Sequence, residues 1–219
     1  MKIALGYILT FGWVFLMLAL TMVLKKAKHT DDELTRKIVH VSVAFAWIPM
    51  YLCFGASWHL IVPPAVFIVL NTISYRQGLF TGMERTDESK KSLGTVYYAV
   101  SMTVMAAWSA RMPACLVPYG TGLFCMALGD GFAPLFGAIR RGNRRLFGNR
   151  TLYGSIGVFA ISLIVVAVMN ALFGLDLAFW RMLVIAAGAV LFELVGLKGL
   201  DNLTLPLGVF LLTFLFTWK

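Results

Sequence analysis

Long apolar runs broken by short polar stretches organise this chain. Ile3–Leu24, Ile38–Phe54, His59–Tyr75, Leu93–Ala110, Pro113–Ile139, Ser155–Leu175, Phe179–Leu197 and Leu203–Trp218 all approach the roughly 17 to 25 apolar residues that a helix needs to cross a hydrocarbon core. The pattern predicts an all-α polytopic membrane protein of about eight transmembrane helices, built as a single domain over residues 1–219. The first run is not a signal peptide: its apolar core is too long, its charge follows rather than precedes it, and no small-residue cleavage site comes after. The fifth run carries Pro and Gly, and around Tyr119–Gly122 it has the composition of a helix that bends or breaks while crossing once.

Composition agrees with this reading, at 60% hydrophobic residues, 13% charged and a mean hydropathy of +0.83. The formal net charge of +9 does not mark a nucleic-acid binder, because Lys and Arg are confined to particular loops instead of alternating with exposed aromatics. Lys25, Lys26, Lys28, Arg36 and Lys37 fall in the first loop, Arg76, Arg85, Lys90 and Lys91 in the third, and an arginine cluster in the fifth. The positive-inside rule then makes the odd loops cytoplasmic and both termini non-cytoplasmic, leaving Arg111 and Asp176 for the short outer loops. Cys53, Cys115 and Cys125 lie in apolar stretches without metal spacing, so packing accounts for them better than a disulfide or zinc.

Polar groups within or beside the spans gather at the ends assigned to the cytoplasm. Asp130 stands out, a carboxylate deep in an apolar run between Gly129 and Gly131, where a charge is costly and normally functional. Ala133 and Gly137 follow at helical spacing, so one face presents an acid, a small residue and a glycine, open to a ligand or to a close neighbouring helix. The next loop carries Arg140, Arg141, Arg144, Arg145 and Arg150, whose guanidinium groups match phosphate, and Thr151 and Gly154 sit at the mouth of the following helix. Anionic lipid headgroups would draw the same arginines.

Three smaller groups add to this inventory. Arg36 and His40 share a helical face with Lys37 beside it, either to hold a phosphate or to serve as interfacial anchors with His40 satisfying a carbonyl. Gly94 and Thr95 open the fourth span after the mixed-charge stretch Glu84–Lys91, which reads as solvated surface. Glu193 lies about one turn inside the seventh span, and Asp201-Asn202 precede Leu203, either as oxygen donors or as a helix cap. One or two carboxylates with substrate phosphates is the usual seat of Mg²⁺.

Taken in order, Arg36-Lys37-Ile38-Val39-His40, Gly94-Thr95-Val96-Tyr97-Tyr98, Asp130 through Gly137, Arg150-Thr151-Leu152-Tyr153-Gly154-Ser155, and Glu193 with Asp201-Asn202-Leu203-Thr204-Leu205-Pro206 resemble one family. It is the CTP-dependent lipid-alcohol kinase family, which includes dolichol kinase, phytol kinase and the yeast-type diacylglycerol kinase. The resemblance runs from about Arg36 to Pro206, and the compact length looks closer to the phytol kinase branch. It implies that Asp130 to Gly154 forms most of a CTP site completed by Asp201 and Asn202, with Mg²⁺ on Asp130, Asp201 and Glu193. Nucleotide contacts would come from Arg36, Lys37, Gly94, Thr95, Ala133, Gly137, Arg140, Arg141, Arg144, Arg145, Arg150, Thr151, Gly154 and Asn202. Asp130, His40 and Asp201 would be catalytic, with His40 or a carboxylate as the base. Here Arg150 and Tyr153 replace the usual Lys and Glu, and the glycine after Gly137 comes one residue late, at Gly142.

The expected partners are CTP, a lipid alcohol such as phytol, a polyprenol or diacylglycerol, and the bilayer itself. Association into a homo-oligomer is left open. Two rivals remain at this stage. A cytidylyltransferase would join CMP to a lipid phosphate, and a small transporter would use Asp130 to relay protons or bind a cation, although no inverted repeat is evident.

Overall fold

A computed structural model describes residues 1–26, 32–77, 93–138, 144–147, 150–196 and 199–218. Among them the chain forms helices α1 (Lys2–Lys26), α2 (Asp32–Ala44), α3 (Trp47–Phe54), α4 (Val62–Gln77), α5 (Gly94–Arg111), α6 (Leu116–Ala138), α7 (Leu152–Phe173), α8 (Phe179–Val195) and α9 (Asp201–Thr217). A short hairpin of β1 (Arg145–Phe147) and β2 (Arg150–Thr151) precedes α7.

The protein is turned inside out relative to a water-soluble bundle. Ile8, Val23, Ile164, Leu172, Leu191 and Val195 are exposed, while Thr10, Ser101, Thr121, Ser162 and Thr213 are buried. Hydroxyls on the inner faces and large apolar side chains outside are what a bilayer demands, since lipid rewards neither polar exposure nor unpaired backbone. Lys2–Lys26, Leu34–Phe54, Trp58–Gln77 and Leu152–Phe173 are long and apolar enough to cross a membrane, with mean hydropathies of 2.2, 1.5, 1.4 and 2.6. The chain is an all-α integral membrane protein.

Two compact units make up the chain, Met1–Leu116 and Val117–Lys219. In the first, α1 packs against α2 and α3, and α4 against α5. Val14, Leu18, Val39 and Ala46 form a buried cluster flanked by Trp13, Val43 and Phe67. The run expected as one helix over Ile38–Phe54 is two helices. Phe45 and Ala46 donate to the carbonyls of Ser42 and Val43 in tight three-residue turns. Pro49, which has no N–H and crowds the carbonyl four residues back, accounts for the break.

In the second unit α7 packs on α8 and α8 on α9. Thr151 caps α7, its hydroxyl accepting the Gly154 N–H at 3.2 Å, and Gly174 closes the helix in the left-handed region at φ 60°. The fifth run is one continuous helix, α6, through Tyr119–Gly122, preceded by a short 3₁₀ turn at Pro113–Cys115. Gly122 marks a close approach instead of a break: a Cβ there would run into the backbone carbonyl of Pro206 in α9.

Candidate functional site

The ends of α6 and α8 and the starts of α7 and α9 bring four charged side chains together within the second unit. Asp130 lies about two turns before the end of α6, Glu193 two residues before the end of α8, Asp201 is the first residue of α9, and Arg150 immediately precedes the Thr151 cap of α7. Arg150 is the hub. Its Nη1 lies 2.7 Å from Glu193 Oε1 and 3.3 Å from Asp130 Oδ1, and its Nη2 pairs with Asp201 Oδ2.

Local structure explains how this arginine reaches the acids. Phe147 pairs with Arg150 across the hairpin, and the Leu152 N–H donates to the Arg144 carbonyl at 2.9 Å. Together with the Thr151 cap these bonds fix the chain direction at the helix start. Gly196 acts from the other side: a Cβ there would collide with the backbone of Asp201, so only glycine lets α9 begin this close to the end of α8. Asp201 in the first turn also faces the positive end of the α9 dipole, and its Oδ1 accepts the Asn202 N–H at 3.2 Å.

Among the described residues, three carboxylates gather on one guanidinium. Burial disfavours the charged guanidinium, but Asp201, Glu193 and Asp130 outweigh it and hold Arg150 above the ordinary arginine range. Two acceptors stay unmatched: Glu193 Oε2 and Asn202 Oδ1 are buried without a hydrogen-bond partner. Buried oxygens of this kind cost free energy unless a donor or cation meets them. The donor set is hard oxygen, the chemistry Mg²⁺ prefers, although no group of three metal-ligating side chains around a common free centre occurs among the described residues.

The other expected positions divide between the units. Ala133 is buried in α6, and the Ala133–Gly137 face receives the start of α7: a Cβ on Gly154 would lie 3.5 Å from the Ala133 carbonyl, and one on Gly137 would lie 3.2 Å from Thr151 Oγ1. Of the two occupants the sequence allowed for that face, the neighbouring helix takes this stretch. Arg144 and Arg145 are exposed, whereas Arg140 and Arg141 lie outside the described residues. Arg36, Lys37 and His40 are half-buried on α2 in the first unit, with the Tyr98 hydroxyl donating to the His40 carbonyl at 3.1 Å and its ring against the imidazole. Gly94 and Thr95 begin α5, where the Thr95 carbonyl accepts from Asn71 Nδ2 at 2.9 Å.

Phytol kinase of Synechocystis sp. is 30% identical to this chain over 196 residues, an alignment covering 84% of the chain and 80% of the cyanobacterial protein. The chain belongs to the phytol kinase family. No family profile matches it, and no solved structure does.

In this member of the phytol kinase family, sequence reasoning gathered the acids but gave Arg150 no role apart from the other arginines. The hairpin that places it was also passed over. Gly148-Asn149 between Phe147 and Arg150 is a pair of the kind that joins two strands, and was the available signal. Asn71 and Tyr98, which tie α4 to α5 and α5 to α2, carried no signal beyond being polar residues in apolar runs.

Proposed function

We propose that the protein transfers the γ-phosphoryl group of CTP to the hydroxyl of a membrane lipid alcohol, giving a lipid monophosphate and CDP. The observation that carries this reading is the gathering of Asp130, Glu193 and Asp201 on Arg150, with buried unmatched oxygens on Glu193 and Asn202. Such a site calls for a divalent cation and polyanionic phosphate together, and the phytol kinase relative supplies the reaction class.

In this proposal Asp130 and Asp201 hold Mg²⁺, with Glu193 beside them. The ion would neutralise charge on the β- and γ-phosphates. Arg150, freed in part from the acids, pairs with phosphate oxygens, and Arg144, Arg145, Arg140 and Arg141 widen the basic rim. The N-terminal turn of α7 at Thr151–Gly154 adds backbone N–H groups of the kind that favour anions. The lipid oxygen attacks the γ-phosphorus, the bond to the bridging β–γ oxygen breaks, and the hydroxyl proton passes to a carboxylate of the cluster. Positioning and charge neutralisation supply most of the rate. The cluster faces the cytoplasm, as the basic loops require, with about eight crossings and both termini outside.

Label position tests the reaction. Purified protein with Mg²⁺, phytol and CTP labelled at the γ-phosphate should yield labelled lipid, while CTP labelled in the cytidine should not. Cytidine label on a lipid phosphate would replace the kinase with a cytidylyltransferase. Asp130→Asn protein that phosphorylates lipid normally yet loses cation flux in vesicles would replace it with a transporter.

A further inference from the structure

Thr204, one turn into α9, is not among the charged groups of the cluster, yet its hydroxyl is used differently from those of other helical threonines. Thr21, Thr72, Thr103 and Thr121 return their hydroxyls to the preceding turn of their own helix, at the carbonyls of Met17, Ile68, Ala99 and Val117. Thr204 Oγ1 instead lies 2.8 Å from the carbonyl oxygen of Phe192 in α8, and 3.1 Å from that of Leu200. The Leu200 carbonyl already accepts the Thr204 N–H at 2.8 Å. What the hydroxyl adds is the shorter bond, across to the neighbouring helix.

Phe192 immediately precedes Glu193, and Thr204 stands three residues after Asp201. The bond therefore joins the two acid-bearing helices beside one acid and a turn away from the other. Packing reinforces it on the same residue. A Cβ on Gly208, one turn beyond Thr204, would run into the Phe192 ring, so α9 holds Phe192 by its carbonyl at Thr204 and by its ring at Gly208. Two attachments a turn apart oppose both rotation of α9 and its sliding along α8. Glu193 and Asp201 both pair with Arg150, so the register of these helices decides whether one guanidinium can serve both.

We infer that Thr204 is a positioning residue of the proposed reaction centre: by holding the Phe192 carbonyl it sets the register of Glu193 against Asp201, and through them the place of Arg150. The inference rests on the proposed function for the reaction that this geometry serves, and Thr204 acts through the acids, not on the substrate. The Phe192 carbonyl also accepts the Gly196 N–H at 3.2 Å, so Thr204→Val leaves that acceptor matched and keeps a side chain of nearly the same shape. The substitution removes the tie between the helices and little else.

Two readouts on purified full-length protein separate this role from local packing. In thermal melts Thr204→Val should lower the melting temperature by about 3 °C, the worth of one ordinary hydrogen bond in a chain of this size. In the Arg150→Gln background the same substitution should cost less than half as much, because the acids no longer have a shared partner to be aligned on, and the Glu193→Gln background should reduce the cost likewise. With Mg²⁺, phytol and CTP, at a temperature where every variant is folded, Thr204→Val should lower kcat about tenfold and Thr204→Ser should restore it. Thr217→Val, whose lost bonds run to Thr213 and Phe214 of its own helix, should leave kcat within about twofold. Melting losses that simply add in both backgrounds, or a Thr204→Val kcat within about twofold of the unsubstituted protein, would overturn the inference. Coupled melts in a protein that transfers no phosphate from CTP would support the placing of the acids by Thr204 and count against the proposed reaction alone.

Discussion

Replacing Arg150 by Gln removes the cation that three carboxylates share. Glu193 is 2% exposed and loses its 2.7 Å partner, while Asp201 and Asp130, at 11% and 18% side-chain exposure, each lose an ion pair with some access to solvent. Removing one partner of a buried ion pair costs about 3–5 kcal/mol, and the mutual repulsion of the remaining acids places Arg150→Gln toward the upper part of that range. For a chain of this size each kcal/mol moves the melting temperature by about 2–4 °C, so a fall on the order of 10 °C is expected in detergent. Arg150→Lys keeps the charge but not the fork that reaches several acids at once, and should fall by less than half as much. Adding Glu193→Gln to Arg150→Gln should recover about 1.5 kcal/mol or more, because the two changes act on one pair. An Arg150→Gln melt within about 2 °C of the unsubstituted protein, or a double substitution whose effects simply add, would refute the hub role of Arg150.

Further outcomes follow from the same geometry. Arg150 is held above the ordinary guanidinium range, so its stabilisation is present at every pH below that range and lost only as pH rises through its raised value. The melting difference between the unsubstituted protein and Arg150→Gln should therefore stay constant from about pH 8 to about pH 10, and a difference that vanishes there would contradict it. Gly196→Ala puts a methyl group into the backbone of Asp201 and should cost about 1–3 kcal/mol in thermal melts, with loss of lipid phosphorylation as Asp201 shifts. Thr151→Val removes the acceptor for the Gly154 N–H and should cost about 1 kcal/mol, restored by Thr151→Ser.

Much of this arrangement was legible in the chain itself. A carboxylate cannot sit at the depth of Asp130 unaccompanied, so a partner for it was to be expected, and the acids at positions 193 and 201 lay at the matching ends of later runs. Which cation would answer them was not legible. Five arginines in one loop look alike in sequence, and the strand pairing of Phe147 with Arg150, with the cap at Thr151, brings Arg150 to the acids. Gly122 and Pro49 show the same difficulty on a smaller scale. Glycine in an apolar run reads equally as a break or as a close helix contact, and at Gly122 the neighbouring Pro206 carbonyl decides for contact. Pro49 lay inside a run of the right length, and apolar length alone concealed the change of helix before it.

In the proposed reaction Asp130, Arg150, Glu193 and Asp201 together form the seat of phosphoryl transfer. Asp201→Asn tests it most directly, because the substitution removes one proposed Mg²⁺ ligand and leaves Glu193 and Asp130 to hold Arg150. Its rate of γ-phosphate transfer from CTP to phytol should be measured beside the unsubstituted protein, with both melting curves recorded. We expect a rate lower by about a hundredfold or more, with a melting temperature lowered far less than by Arg150→Gln. A rate within about threefold of the unsubstituted protein would contradict the account, since that is far less than the loss of a charge-stabilising group in a reaction centre produces.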